Sequence, residues 1–264
     1  VGVLQPGADE YNWNVTNYER PEIKDLVIYE LLLRDFLSKH SYQTLIDTLD
    51  YLDRLGVTAI ELMPVNEFEG NLSWGYNPAF HIALDKYYGT QKAFKAFIDA
   101  AHSRGIAVIL DVVLNHAFGR SPIIRLWNEG DYGAPKSENP YANSIAKHPY
   151  NVGYDLNHES PATRYFSKRV MQYWLEEYKI DGFRFDLSKG FTQVDNLNNV
   201  GAWGSYDASR IAIWKDYNNF IRSIDSTAYV ILEHFSDNSE EKALINEGML
   251  VWGNMNHEYN EATM

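Results

Sequence analysis

Residues 181–190 read Asp-Gly-Phe-Arg-Phe-Asp-Leu-Ser-Lys-Gly. On a β-strand, alternate residues share a face, so Arg184 and Asp186 point one way while Phe183, Phe185 and Leu187 point the other. An aromatic and aliphatic wall therefore carries an ion pair on its opposite side. Burying a charge costs several kcal/mol unless it is paired and hydrogen-bonded, so the arrangement calls for a reason. A structural salt bridge at a strand end is the ordinary one. Two further apolar runs with polar ends, Ile106–His116 and Ala228–Phe235, make a shared polar site the better reading.

Working outward, apolar runs suited to strands begin near Leu26, Val57, Ile106, Gly182 and Ala228, with a weaker one near Met249. Amphipathic helical patterns lie between them, over Ser41–Leu55, Thr90–Arg104, Ser160–Lys179 and Asp207–Ile224. Ser160-Pro161 is a cap followed by proline at the first helical position. Strands alternating with long helices imply a parallel sheet. A doubly wound nucleotide-binding sheet would call for a Gly-rich turn after an early strand, and the sequence has none. Polar residues instead close several strands at their C-terminal ends: Arg34 and Asp35, Asn115 and His116, Arg184 and Asp186, Glu233. Those ends are where a (β/α)8 barrel keeps its active site. Only about six strands are readable, so the expected fold is an α/β, TIM-type barrel truncated after about strand six. Residues 1–25 read as an extended lead-in and 26–264 as the partial barrel, with a long loop insertion at 117–159.

Composition narrows the function. The 264 residues hold 23 basic and 36 acidic side chains, a net charge of −13, which disfavours nucleic acid and anionic membrane surfaces as partners. Cysteine is absent, removing disulfides and thiolate metal sites. No apolar run approaches the ~20 residues of a membrane span. Aromatics make up 14%, with 19 Tyr and 7 Trp; they serve core packing or stacking on sugar rings equally well. The opening at Val1, without Met or a charged apolar leader, suggests a processed or excised chain.

Taken together, three segments resemble the α-amylase family of glycoside hydrolases. Asp111-Val-Val-Leu-Asn-His116 is similar to its first signature region, Gly182-Phe-Arg-Phe-Asp-Leu-Ser-Lys189 to the second, and Val230-Ile-Leu-Glu233 to the third. Gly153-Tyr-Asp-Leu-Asn157 resembles an accessory region, and Trp74-Gly-Tyr-Asn-Pro78 the second βα loop. The resemblance implies a retaining hydrolase of α-linked glucans (starch, glycogen or maltooligosaccharides), with Asp186 as nucleophile and Glu233 as acid/base. The chemistry of the residues agrees: retention needs two carboxyl groups ~5–5.5 Å apart, one ionised and one protonated. Arg184 should favour ionised Asp186, and Glu233 should sit in a drier or more negative setting than Asp186.

By the same resemblance, His116 hydrogen-bonds the sugar at the scissile bond, Tyr76 stacks beneath it, Lys189 lines the leaving-group side and Trp74 offers a further stacking surface. Asp111 is expected to support Arg184 and Asn115. Calcium is the one cofactor implied, held by Asn115 and Asp155; hydrogen bonding within loops is the plainer role for both. Two departures stand out. Gly190 follows Lys189 where typical amylases carry His, and no His-Asp of a fourth region follows Glu233, since Asn256-His257-Glu258 comes too soon and carries Glu.

A transferase or branching enzyme of the same family, or a non-catalytic glycan-binding fragment, would share these motifs. The expected partners are an α-glucan and the missing C-terminal barrel units, which would supply the third carboxylate; without them this piece should be nearly inactive. A polysaccharide substrate favours an extracellular, periplasmic or cell-surface location.

Overall fold

A computed structural model describes residues 10–263. Its centre is a six-stranded, all-parallel sheet in sequential order: β1 Ile28–Leu31, β2 Ala59–Leu62, β3 Ala107–Val112, β4 Gly182–Phe185, β5 Tyr229–Leu232 and β6 Leu250–Val251. This is the truncated barrel expected. The sixth strand, the weakest run in the sequence, is two residues long.

Strand alternation explains both faces. Ile60 and Leu62, Val108, Leu110 and Val112, Phe183 and Phe185, Val230 and Leu232 join one large cluster with the helices. The opposite face has a small apolar base of Ala59, Ala107, Ile109, Tyr229 and Ile231. Two residues further along the same face come Glu61, Asp111, Arg184 and Glu233. Polar groups thus collect at one end of the inner face because the period is two.

Four longer helices cover the outer face: α1 Gln91–His102, α2 Pro161–Tyr178, α3 Ala208–Ile224 and α4 Asn238–Ile245. Thr90, Ser160, Asp207 and Asp237 cap their first turns by accepting backbone N–H groups. The pattern over Ser41–Leu55, read as one helix, is two, Tyr42–Ile46 and Leu49–Arg54. Between them the Thr48 hydroxyl turns back onto the Leu45 carbonyl at 2.8 Å, competing with helix continuation.

The loops are more structured than their composition suggested. Asn66–Phe68 and Pro78–Leu84 form an antiparallel hairpin after β2. In the 117–159 insertion, Tyr154–Asp155 pairs with His116–Ala117, and Ala117, Ile123, Ile124, Ala142 and Leu156 make a small core. Of the lead-in, residues 1–9 lie outside the described residues. From Glu10 onward it is tied down by side chains: Asp99 accepts from Asn14 and Val15 backbone amides, and Arg20 reaches Asp181 at 3.1 Å and Asp225 at 2.7 Å.

Candidate active site

The register decides which carboxylates meet. Arg184 pairs with Ile231 and Phe185 with Leu232, so one step further Asp186 stands beside Glu233. Between them lies the Arg184 guanidinium. Its Nη1 donates to Asp186 Oδ1 at 3.1 Å and to both Asp111 oxygens at 3.0 Å, while Nη2 lies 3.1 Å from Glu233 Oε2. Three carboxylates around one buried cation satisfy the rule that buried charge must be paired. Trp252, just past β6, covers the guanidinium, with Cζ 4.3 Å from the ring centroid.

Burial raises the Asp186 carboxyl to about 6; Arg184 pulls it down, and Glu233, in hydrogen-bond contact, pushes it up again. Arg184 thus favours the ionised form of Asp186, while desolvation is the larger effect. Glu233 is not the drier of the two carboxyl groups. The Glu233 side chain is 23% exposed against 16% for Asp186, and its Oε2 accepts the Leu187 backbone amide at 2.9 Å.

The remaining predicted residues fall into place unevenly. Tyr76 donates its hydroxyl to Asp111 Oδ2 at 2.6 Å, and His116 Nε2 bonds the Tyr76 carbonyl at 2.8 Å. Burial lowers the His116 pKa. Tyr76, His116, Asp111 and Arg184 thus form one chain of contacts ending on Asp186. Asp111 supports Arg184 as expected, but its carboxylate bonds Arg184 and Tyr76, with no hydrogen bond to Asn115. Lys189 donates to the Phe235 carbonyl at 2.8 Å and lies over the Trp203 ring. Trp74 is 57% exposed.

Asn115 and Asp155 sit on adjacent paired segments, each with a buried Oδ1 that has no hydrogen-bond partner. His148 Nε2, likewise orphaned, lies 3.4 Å from Asp155 Oδ1. Orphaned oxygens of this kind fit a divalent cation; the neighbouring donor is a ring nitrogen rather than a third oxygen.

Sequence reading missed Glu61, Leu187, His148 and Trp252. Glu61 is 1% exposed, with Oε1 unpaired, and burial raises it to about 7 against the pull of Arg184. Its position two residues past Ala59 on the polar face was the available signal, hidden inside a run that otherwise reads as apolar. Leu187 adopts φ +44°, a left-handed conformation rare for a branched residue, and nothing in its identity announces that.

A sequence model of the family described as "Alpha amylase, catalytic domain" matches residues 40–124 and 147–263. This chain belongs to the α-amylase family. Among the family's curated members, it is 35% identical over 180 residues to the malto-oligosyltrehalose trehalohydrolase of Saccharolobus solfataricus, covering 68% of this chain and 30% of that protein. It is 33% identical over 237 residues to the Bacillus subtilis pullulanase, covering 74% and 31%. The crystal structure of that species' type I pullulanase with maltose superposes with a TM-score of 0.69 at 27% identity, covering 89% of this chain and 34% of the other. The chain thus spans about a third of the length of these α-amylase relatives.

Proposed function

We propose that this chain carries the nucleophile and acid/base of a retaining glycoside hydrolase acting on α-linked glucans. The reading rests on one observation: Asp186 and Glu233, on adjacent strand ends, share the Arg184 guanidinium. Relatives named as trehalohydrolase, pullulanase and α-amylase support the substrate class. Ionised Asp186 attacks the anomeric carbon as Glu233 protonates the departing glycosidic oxygen. The resulting glycosyl ester on Asp186 is hydrolysed by a water that Glu233 deprotonates. Tyr76 and His116, held to each other and to Asp111, orient the sugar over Asp186, and exposed Trp74 offers a stacking face. Lys189 fixes the Phe235 turn and the rim on the leaving-group side. Asn115 and Asp155 would hold calcium, whose contribution would be to fasten the 117–159 insertion to the barrel. The whole protein is proposed to act at an extracellular, periplasmic or cell-surface site.

The test is to treat the full-length enzyme with a 5-fluoro-α-maltosyl fluoride and map the labelled peptide. A label on Asp186, with α-configured product by NMR, is the expected result. A label elsewhere, or β-configured product, overturns the proposal. New linkages formed without new reducing ends would make the enzyme a transferase.

A further inference from the structure

Behind Glu233 lies a buried polar network that the chemistry above does not use. Glu240, on α4, is fully buried, and its Oε1 bonds Arg210 Nε at 2.6 Å and His234 Nε2 at 2.7 Å. Its Oε2 accepts from Arg210 Nη2 at 2.8 Å and from the Asp207 amide at 2.8 Å. His234 directly follows Glu233 in the chain, and its Nδ1 lies 2.8 Å from the Ser188 hydroxyl. That hydroxyl is also 2.8 Å from the Glu233 carbonyl.

A serine hydroxyl has one proton to give. The Glu233 carbonyl can only accept, so Ser188 donates to it, and the hydroxyl oxygen is left to accept from His234 Nδ1 while His234 Nε2 faces Glu240. The Ser188 backbone N–H, 3.0 Å from the Glu233 carbonyl, also holds the main chain of Glu233. Arg210 carries the other half of the clamp. It donates to the Lys189 carbonyl at 3.1 Å, which Trp203 Nε1 also meets at 3.1 Å, while Trp214 Nε1 holds the Ser188 carbonyl at 3.0 Å. Both carbonyls of the Ser188–Lys189 turn, with the Ser188 amide and hydroxyl, are thereby bonded. The residue before it is Leu187, whose left-handed conformation aims its amide at Glu233 Oε2. A branched residue holds such a conformation only where its surroundings over-determine it.

We infer that Glu240 is a positioning residue for the acid/base: through His234 and Arg210 it fixes the turn whose Leu187 amide holds the Glu233 carboxyl. This rests on the reading of Glu233 as acid/base. The consequence is specific to proton donation. A misplaced acid slows departure of a poor leaving group and spares one that leaves unprotonated, because general acid catalysis acts only on the former.

The experiment measures kcat/KM of the full-length enzyme on maltotetraose and on α-maltosyl fluoride. It compares wild type with Glu240→Gln, Glu240→Asp, Ser188→Ala and Glu233→Gln, with thermal denaturation on each. Glu240→Gln is expected to lose about 10- to 100-fold on maltotetraose and little on the fluoride, with Glu240→Asp recovering part of the loss. Ser188→Ala removes only a hydroxyl and keeps the test alive if Glu240→Gln does not fold; the same selective loss is expected. Equal losses on both substrates in the folded variants, or no loss, overturn the inference. Glu233→Gln must itself lose selectively on maltotetraose. If it loses equally on both, the acid/base reading falls, a failure separable from that of the positioning role.

Discussion

Gly190 lies so close to Asn115 that a Cβ at this position would stand 1.8 Å from Asn115 Oδ1 and 2.9 Å from His148 Nε2. The departure from typical amylases noted after Lys189 therefore has a steric cause. The space beside Gly190 belongs to the Asn115 amide and the His148 ring, itself stacked on Trp203. Gly190→Ala should destabilise the protein by about 1–3 kcal/mol, the usual cost of forcing a methyl into a packed site. Chemical denaturation would measure it. A neutral result would mean that the Asn115 side chain turns away freely.

A divalent cation should raise the melting temperature. At a free concentration 100-fold above Kd, one bound ion adds about 2.7 kcal/mol. Calcium, manganese and zinc should be compared by thermal denaturation and calorimetry, since His148 offers nitrogen beside the Asn115 and Asp155 oxygens. Asp155→Asn should abolish the shift. If no ion changes the melting temperature of the wild type, the cation assignment is wrong.

The acid limb of kcat/KM should have its midpoint near 6. Attack requires ionised Asp186, whose carboxyl is raised from 3.8 to about 6, so activity disappears as pH falls through that value. A limb centred near 4 would show that Arg184 outweighs burial after all.

Glu61 makes a stability prediction with a definite sign. Its carboxyl rises from 4.5 to about 7 on folding, so between these values the native state holds the proton that the unfolded state has lost. Stability consequently falls as pH rises through this window, by about 3 kcal/mol in all. Glu61→Gln keeps the shape without the charge. It should melt higher than wild type at pH 8 and show no such gain at pH 4. Equal melting temperatures at pH 8 would count against a buried, unpaired Glu61.

Arg184 cannot be replaced by a smaller cation without loss. Arg184→Lys keeps the charge but not the fork that reaches Asp111, Asp186 and Glu233 together. Leaving buried carboxylates unpaired costs about 3–5 kcal/mol, so the variant should melt well below wild type and lose most of its turnover. Wild-type activity in Arg184→Lys would remove the shared guanidinium from the mechanism.

The sequence by itself determined the parallel sheet, the order of its strands and the Arg184, Asp186 and Glu233 group at its polar end. Those follow from local periodicity: two-residue alternation put Arg184, Asp186 and Glu233 on one face, and capping residues such as Thr90 and Ser160 marked helix starts. Tertiary structure decided the rest. Whether Asp186 is governed by Arg184 or by burial depends on how much protein surrounds it, and desolvation is set by the whole neighbourhood. The same holds for the Glu240 network, where Asp207 and Glu240, 33 positions apart, meet only because α4 packs against α3, and for Leu187, whose backbone twist is imposed by its neighbours. Periodicity is written along the chain; dielectric, register and strain exist only once the strands are side by side.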